Sequence, residues 1–378
     1  MKKLGFGLMR MPLLNPDDVT SFDYPLINQM MDTFIKNGFC YFDTAFIYHK
    51  MKSEKMVKQA IVDRHPRDKF KLSTKLPLWL IKEKGDAQSL FDKQLTKCGV
   101  DFFDYYLLHA LDADKHKQIK QFDLFSFVHT LKKQGKIKNL GFSFHDTPDV
   151  LEEILSDQKK SKNPMPDFVM LQINYLDWLN PNIGSKECYD IARKYGLPIV
   201  VMEPLKGGSL VNLPEEAVKL MKDYNPNVSL ASWAIRYAAG LEGVFMVLSG
   251  MNDMVQLNDN MATINNFEPL NEDEHRIIDK VVEILEKDTA IGCTYCEYCI
   301  KGCPKNIPIH NYFQLYNEKT RNPKAFLPEG YYANLIKRTG KPSDCILCGK
   351  CEKMCPQKLR IMDGLKGVAE MFEKNDAE

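Results

Sequence analysis

The sequence predicts an α/β protein: a closed parallel barrel of eight strands with intervening helices, followed by a small, mainly helical, cysteine-rich domain. Two observations carry this prediction. Up to about residue 265, short apolar runs alternate with amphipathic stretches of helical period. Strands laid parallel by helical crossovers leave that pattern. Beyond residue 290, eight of the eleven cysteines fall into two copies of one spacing.

The strand-like runs come in order. Leu4 to Met9 supplies the first, and Gly38 to Asp43 the second, with Gly38 stopping the helix before it. Phe70 to Lys75, Phe103 to His109, Leu140 to Ser143, Phe168 to Asn174, Ile199 to Glu203 and Val244 to Ser249 complete eight. Lys186 to Tyr195 is a typical helical stretch between them, closed by Gly196 and Pro198. Eight strands alternating with helices read as a TIM (β/α)8 barrel. A doubly wound open sheet is the alternative. Asn271 to Lys287 reads as a closing helix, capped by Asn271 with Glu274 three residues on. Its apolar face is Ile277, Ile278, Val281, Val282 and Leu285. The barrel is thus expected over 1–288, the cysteine domain over 289–362, and a charged, fraying tail over 363–378.

The cysteine runs are Cys293, Cys296, Cys299, Cys303 and Cys345, Cys348, Cys351, Cys355, each followed by proline. The C-x-x-C-x-x-C-x-x-x-C-P spacing suits two [4Fe–4S] clusters, with three ligands close together and a fourth from elsewhere. Zinc is one rival, but zinc sites draw paired ligands from two knuckles. A disulfide framework is another; it fits poorly without a signal peptide. In two-cluster ferredoxins the fourth cysteine of one run ligates the other run's cluster. By that rule Cys293, Cys296, Cys299 and Cys355 hold one cluster, and Cys345, Cys348, Cys351 and Cys303 the second. Cys40, Cys98 and Cys188 read as small apolar core residues.

Composition narrows the function class. The 378 residues allow two or three domains, and 44% hydrophobic content supports a sizeable core. A formal net charge of +1 argues against a dedicated nucleic-acid binder. No run of 18 apolar residues predicts a membrane span. The start Met1-Lys2-Lys3-Leu4-Gly5 lacks a secretory apolar core, so a cytoplasmic protein is expected.

In a barrel, chemistry sits where strands end at one face. Asp43, Lys75 and His109 end three successive strands, and Tyr48 follows Asp43. Together they make a proton donor. An ammonium beside a phenol stabilises the phenolate and is expected to lower its pKa. Asp43 would hold that ammonium, and His109 would orient a carbonyl. The set suits carbonyl reduction by hydride from a nicotinamide.

These residues resemble the aldo-keto reductase signature. Asp43-Thr44-Ala45 with Tyr48 and Ser53-Glu54, Ser73-Thr74-Lys75 and Tyr106-Leu107-Leu108-His109 carry the likeness. So do Leu4-Gly5-Phe6-Gly7-Leu8-Met9-Arg10, Gly141-Phe142-Ser143, Gln172-Ile173-Asn174 and Asp259-Asn260. The resemblance covers about residues 4 to 265, and the chain looks like the branch with a C-terminal ferredoxin-type dicluster domain. It implies a TIM barrel using NAD(P)H. It implies Tyr48 as general acid, tuned by Lys75 and Asp43, with His109 positioning the carbonyl. It implies cofactor contacts at Gly7, Leu8, Met9, Asp43, Ser143, Gln172, Met202, Leu205, Gly207, Ser249, Gly250, Met251, Asp259 and Asn260.

The likeness has gaps. Met202 stands where the family stacks a tyrosine on the nicotinamide, and Phe144 where an asparagine is usual. Gly250, Met251 and Gln256 occupy the positions that clamp a 2′-phosphate in other members, and none is cationic. Backbone at Gly207-Gly208 can approach a pyrophosphate, and Arg10 points by position toward the mouth. The leading expectation is an oxidoreductase acting on a small carbonyl or alcohol. The alternative is an electron-transfer protein whose clusters serve a ferredoxin, a flavodoxin or a barrel-bound cofactor. A binding scaffold of the potassium-channel regulatory type is a third.

Overall fold

The computed structural model describes residues 1–180, 183–287, 289–293, 296–300, 302–323, 325 and 327–373. Eight parallel strands close into a barrel in sequence order. They are β1 (Leu4–Gly7), β2 (Tyr41–Asp43), β3 (Lys71–Leu76), β4 (Phe103–Leu111), β5 (Ile137–Phe144), β6 (Phe168–Gln172), β7 (Ile199–Met202) and β8 (Val244–Ser249). β1 pairs with β8 through Leu4–Val247 and closes the ring. All eight expected runs are strands, and the barrel, not the open sheet, is the architecture.

A strand's side chains alternate faces with a period of two. Outward residues such as Phe6, Phe42, Leu72 and Val169 join the main core beneath the surrounding helices. Inward residues fill the barrel: Tyr41, Leu107, Phe168, Met170, Val200, Met246 and Leu248 form one apolar cluster. Two inward glycines make room for it. A Cβ on Gly141 would lie 2.5 Å from the Phe168 ring, and one on Gly5 would lie 2.6 Å from Leu248. One step further along each strand the inward positions turn polar. They are Asp43 after Tyr41, Lys75 after Ser73, His109 after Leu107, and Gln172 after Met170. The mouth of the barrel is therefore hydrophilic above an apolar plug.

The chain divides into two compact units, residues 1–211 with 221–275, and 212–220 with 276–378. The helix Glu272–Lys287 begins with the expected reciprocal cap. Asn271 N donates to Glu274 Oε2 at 2.9 Å, and Glu274 N donates to Asn271 Oδ1 at 2.9 Å. The sequence assigned this helix to the barrel, whereas residues 276 onward belong to the second unit. Within that unit, Arg321 Nη2 donates to the Leu285 carbonyl at 2.6 Å, tying the helix to its neighbour Ile309–Arg321.

The second unit is mainly helical. Its core holds Ile307, Ile309, Tyr312, Phe313, Leu315, Tyr332, Ile361, Leu365 and Val368 together with Cys299 and Cys351. Asn317 pins the segment before the first cysteine. Its Oδ1 accepts from Ile291 N, and its Nδ2 donates to Ile291 O, both at 2.8 Å. The tail expected from residue 363 is instead part of a helix, Ile361–Phe372. Ile361, Leu365 and Val368 recur at helical spacing and are buried, which outweighs the charge on the opposite face. Residues 374–378 lie outside the described residues. No helix among the described residues is long and apolar enough to cross a membrane.

Candidate functional site

The polar mouth is organised by β2, β3 and β4. Asp43 pairs in register with Ser73, and Lys75 with Leu107. Lys75 is 2% exposed and Asp43 3%. The Lys75 ammonium donates to Asp43 Oδ2 at 2.5 Å and to the Thr44 carbonyl at 2.8 Å. Its third direction faces Tyr48 Oη at 3.4 Å. Ser73 Oγ donates to the other Asp43 oxygen at 2.8 Å.

Tyr48 opens a short helical turn, Tyr48–Met51. The three residues after it have φ of 51°, 50° and 65°, a left-handed conformation that side chains with a Cβ resist. The turn is held by packing. His49 Nδ1 lies 2.6 Å from the Val19 carbonyl, and its ring packs on Phe22 at 4.8 Å.

His109 is aimed by a bulge. The β4–β5 register shifts between Leu108 and Leu111, and Ala110 sits at φ 55°. Ser143 Oγ accepts from Ala110 N at 2.7 Å and anchors the bulge. The His109 ring lies 5.2 Å from the Trp79 ring, and its Nδ1 is buried without a protein partner.

The electrostatics follow from burial. Burial pulls the Lys75 pKa down, but the Asp43 carboxylate and Tyr48 outweigh it and raise the pKa above 10.5. Burial raises the Tyr48 phenol above 10.0, and Lys75 cancels only part of that rise. The expected lowering of the phenol is thus reversed in the resting protein, because desolvation of a phenolate exceeds the pull of one ammonium. His109 is held well below 6.5 by burial, then by Lys75, His145 and Lys115. It is a neutral imidazole.

The positions expected around a nicotinamide lie on several separate elements. Gly7 and Asp43 are register partners. Leu8 donates its N–H to the Asp43 carbonyl at 2.9 Å, while Met9 is exposed. Met202 packs at the rim of the inner apolar cluster. Gln172 Nε2 donates to Asp177 Oδ2 at 2.8 Å. Leu205 offers its carbonyl to Gly208 N at 2.9 Å, which forms the turn around Gly207. Asp259 accepts from Ser229 Oγ at 2.6 Å. Asn260 Nδ2 donates to Ser249 Oγ at 3.1 Å, and its buried Oδ1 has no protein partner. Met251 is fully buried in the main core, so its side chain is turned away from the mouth.

Lys206 and Asp177, which the sequence did not single out, join Glu54, Glu203 and Arg10 around the site. Lys206 Nζ donates to Asp177 Oδ1 at 2.6 Å in a buried pair that also fixes Gln172 and Asn174. Glu54 is fully buried between Thr74 (2.9 Å), Gln94 (2.7 Å) and Lys97 (3.2 Å) behind the Lys75 strand. Glu203 sits just past β7 at φ 55°, 4.0 Å from Arg10, and burial raises its pKa. Arg10 is a cation beside Gly207 and Gly250. Its guanidinium lies 3.1 Å from where a Gly207 Cβ would be, and its stem 3.2 Å from that of Gly250. Gln256 is engaged locally with Asn252 and Asp253.

The profile of the aldo/keto reductase family matches residues 3–283. The chain belongs to the aldo/keto reductase family. Residues 292–359 match a 4Fe-4S dicluster domain. Among curated relatives, a glyoxal reductase of Bacillus subtilis is 27% identical, covering 68% of this chain and 83% of that protein. A glycerol 2-dehydrogenase (NADP(+)) of Saccharomyces cerevisiae is 24% identical over 63% of this chain and 80% of its own. Among solved structures, a Klebsiella pneumoniae aldo-keto reductase in complex with NADPH matches with TM-score 0.59 at 18% identity. It covers 74% of this chain and 90% of that one. A Bacillus halodurans aldo-keto reductase in its holo form matches with TM-score 0.56 at 23% identity, covering 74% and 91%. These likenesses establish the reductase's barrel fold.

In the second unit of this aldo/keto reductase, the cysteines line two cavities. One, of about 330 Å³, is lined by Cys293, Cys296, Cys299 and Cys355. The other, of about 320 Å³, is lined by Cys345, Cys348, Cys351 and Cys303. Each run thus sends its fourth cysteine to the other's cavity. Ile309 lines both. Burial pushes the Cys299 thiol up to about 12, with Cys293 adding to the effect. A cationic centre would favour ionisation of the buried Cys299 and Cys351, and four cysteines around each cavity fit the donor set of an iron–sulfur cube. Tetrahedral zinc would draw the sulfurs to about 3.8 Å from one another. Among the described residues no three cysteine sulfurs lie even within 4.8 Å.

Proposed function

We propose that this chain reduces a small carbonyl, or oxidises the corresponding alcohol, with NAD(P)H, and that Tyr48 is the general acid. The observation that carries the reading is the hydroxyl–ammonium–carboxylate chain of Tyr48, Lys75 and Asp43, at 3.4 and 2.5 Å. A reduced nicotinamide, when bound, supplies hydride to the carbonyl carbon.

The protein's residues do the rest. His109, neutral and packed against Trp79, donates a ring N–H to the substrate oxygen and fixes its direction. Tyr48 passes its proton to that oxygen as negative charge builds there. The raised phenol pKa keeps Tyr48 protonated at rest. The Lys75 ammonium, kept charged by Asp43, stabilises the phenolate as the proton leaves. Gly7, Leu8, Met9, Ser143, Gln172, Met202, Leu205, Gly207, Ser249, Gly250, Asp259 and Asn260 surround the cofactor. Asn260 Oδ1 is an unmet acceptor there. Arg10 binds its phosphates. The activities named for the Bacillus and yeast relatives, glyoxal reductase and glycerol 2-dehydrogenase (NADP(+)), favour a small carbonyl or alcohol as substrate.

Tyr48→Phe is expected to cut carbonyl turnover by at least about 10²–10⁴-fold while nucleotide binding persists. Retained turnover would refute the role. Arg10→Ala with unchanged kinetics on every active substrate would remove the phosphate contact.

A second reading joins this one: two [4Fe–4S] clusters relay electrons to a ferredoxin, a flavodoxin or the barrel-bound cofactor. It is favoured by the shared Ile309 wall between the two cysteine cavities. Anaerobic protein should contain about eight irons per chain. Photoreduced clusters that pass electrons to none of these acceptors would leave the clusters structural. Cluster assembly on reduced thiols puts the protein in the cytoplasm.

A further inference from the structure

The two cysteine sets are alike in ligands and unlike in surroundings. His310 is the second residue of the helix Ile309–Arg321 and forms part of the wall of the Cys293, Cys296, Cys299 and Cys355 cavity. It is 7% exposed, and its buried Nδ1 has no hydrogen-bond partner. Its Nε2 lies 3.7 Å from Glu297 Oε1, beyond hydrogen-bond range. A buried ring nitrogen left unpaired is destabilising. The acceptors in this wall are the Glu297 carboxylate, the Gln357 amide oxygen and the cysteine sulfurs with whatever they hold, and neither Glu297 nor Gln357 partners the His310 Nδ1.

The other cavity has no counterpart. Its wall beyond the cysteines is mostly aliphatic, with Ile307, Ile309, Ile346, Met362 and Leu365. Lys305, its charged side chain, is exposed, as is Glu297 at the first cavity. Exposed charges act on a cluster through solvent and are screened, whereas a buried donor acts directly.

We propose that His310 donates a hydrogen bond to the cluster held by Cys293, Cys296, Cys299 and Cys355 and raises the reduction potential of that cluster alone. The inference rests on the two-cluster reading. Reduction adds one electron, breaks no bond and takes up no proton. The added negative charge lies largely on the cluster's sulfurs, so an N–H dipole directed at them stabilises the reduced form more than the oxidised. The chain therefore carries two inequivalent electron sites, and His310 is the buried imidazole that only the first has, beside a Gln357 that also lines that cavity alone.

The test is a dithionite titration of anaerobically purified full-length protein, followed by electron paramagnetic resonance, for wild type, His310→Leu and His310→Gln. In His310→Leu one of the two reduction steps should move to lower potential. At that step's wild-type midpoint its reduced-to-oxidised ratio should fall about tenfold, the worth of one hydrogen bond to a charged group. The other step should stay in place, and His310→Gln, which keeps a donor, should recover most of the shift. Two steps that stay put, or that move together, overturn the proposal. A measurement on wild type stands apart from any loading defect of the leucine variant. With ¹⁵N-labelled histidine, one reduced cluster should show a hyperfine coupling to imidazole nitrogen, and absence of that coupling overturns the proposal. About four irons per chain would instead fail the two-cluster reading. About eight irons with unmoved steps fail only the role of His310.

Discussion

Replacing Asp43 by Asn leaves a buried ammonium without its counter-charge. Lys75 and Asp43 are 2% and 3% exposed, and their ion pair is 2.5 Å long. Removing one partner of a buried pair costs about 3–5 kcal/mol in general. Lys75 keeps the Thr44 carbonyl at 2.8 Å and Tyr48 at 3.4 Å, which places the expected loss near the lower end, about 3 kcal/mol. The pH dependence has a definite sign. In the wild type the Lys75 pKa is raised above 10.5, so its contribution is whole below that value and is lost as pH climbs through the raised one. In the variant, burial acts without the carboxylate and depresses the Lys75 pKa. The deficit should be largest near neutral pH and shrink as pH rises, because the folded variant then sheds the proton.

Anaerobic urea unfolding followed by tryptophan fluorescence reads this directly. Trp79, Trp178 and Trp233 all lie in the barrel unit. A deficit below about 1 kcal/mol, unchanged between about pH 7 and pH 9, would refute the reasoning. It would mean that water already reaches the ammonium, or that the resting site carries no charge there.

Three further outcomes are expected. The kcat/KM profile should be flat from about pH 5.5 to 9, since neutral His109 protonates only well below 6.5 and the Tyr48 phenol ionises above 10.0; a limb near pH 6.5 would contradict this. His145, held at about 4 by burial and then by Lys115 and Lys75, should add no limb in that range either. The double variant C293S/C355S should keep about four irons and C293S/C303S almost none, because the exchanged fourth cysteine puts Cys355 with Cys293; iron assays that reverse the order would show each run binding its own cluster. Gly340→Ala should destabilise the second unit by about 3 kcal/mol or more, read as earlier thermal loss of the clusters' visible absorbance. A Cβ there would sit 2.0 Å from the Lys305 carbonyl oxygen. The backbone cannot retreat, since Gly340 N donates to Asn306 O at 3.1 Å and Tyr312 Oη donates to Gly340 O at 3.0 Å.

Chain order alone determined the barrel and the two cysteine sets, because both are local patterns. A strand of six residues, bounded by turn signals, shows its period of two directly, and that period sends Asp43, Lys75 and His109 to one face of successive strands. The cysteine spacing is likewise short-range chemistry, and so is the reciprocal cap at Asn271 and Glu274. The final helix was missed because charged residues are spread throughout 363–378 and mask its apolar spacing. Only the spacing of Ile361, Leu365 and Val368 betrays the buried face, and it pays off once something packs against it. Met251 shows the reverse: position in the chain suggests a cofactor contact, while its side chain packs in the core.

What only the tertiary structure decided is the environment of each group. Lys206 and Asp177 are 29 residues apart, and nothing local announces that they meet. Arg10 reaches Gly207 and Gly250 from the opposite end of the chain. The direction of the Tyr48 pKa depends on how completely solvent is excluded around it, and His310 on which wall of which cavity it joins. Residue types and spacings are written along the chain. Desolvation and long-range pairing arise only when distant segments close around a side chain, and they set its charge, its partner and therefore its chemistry.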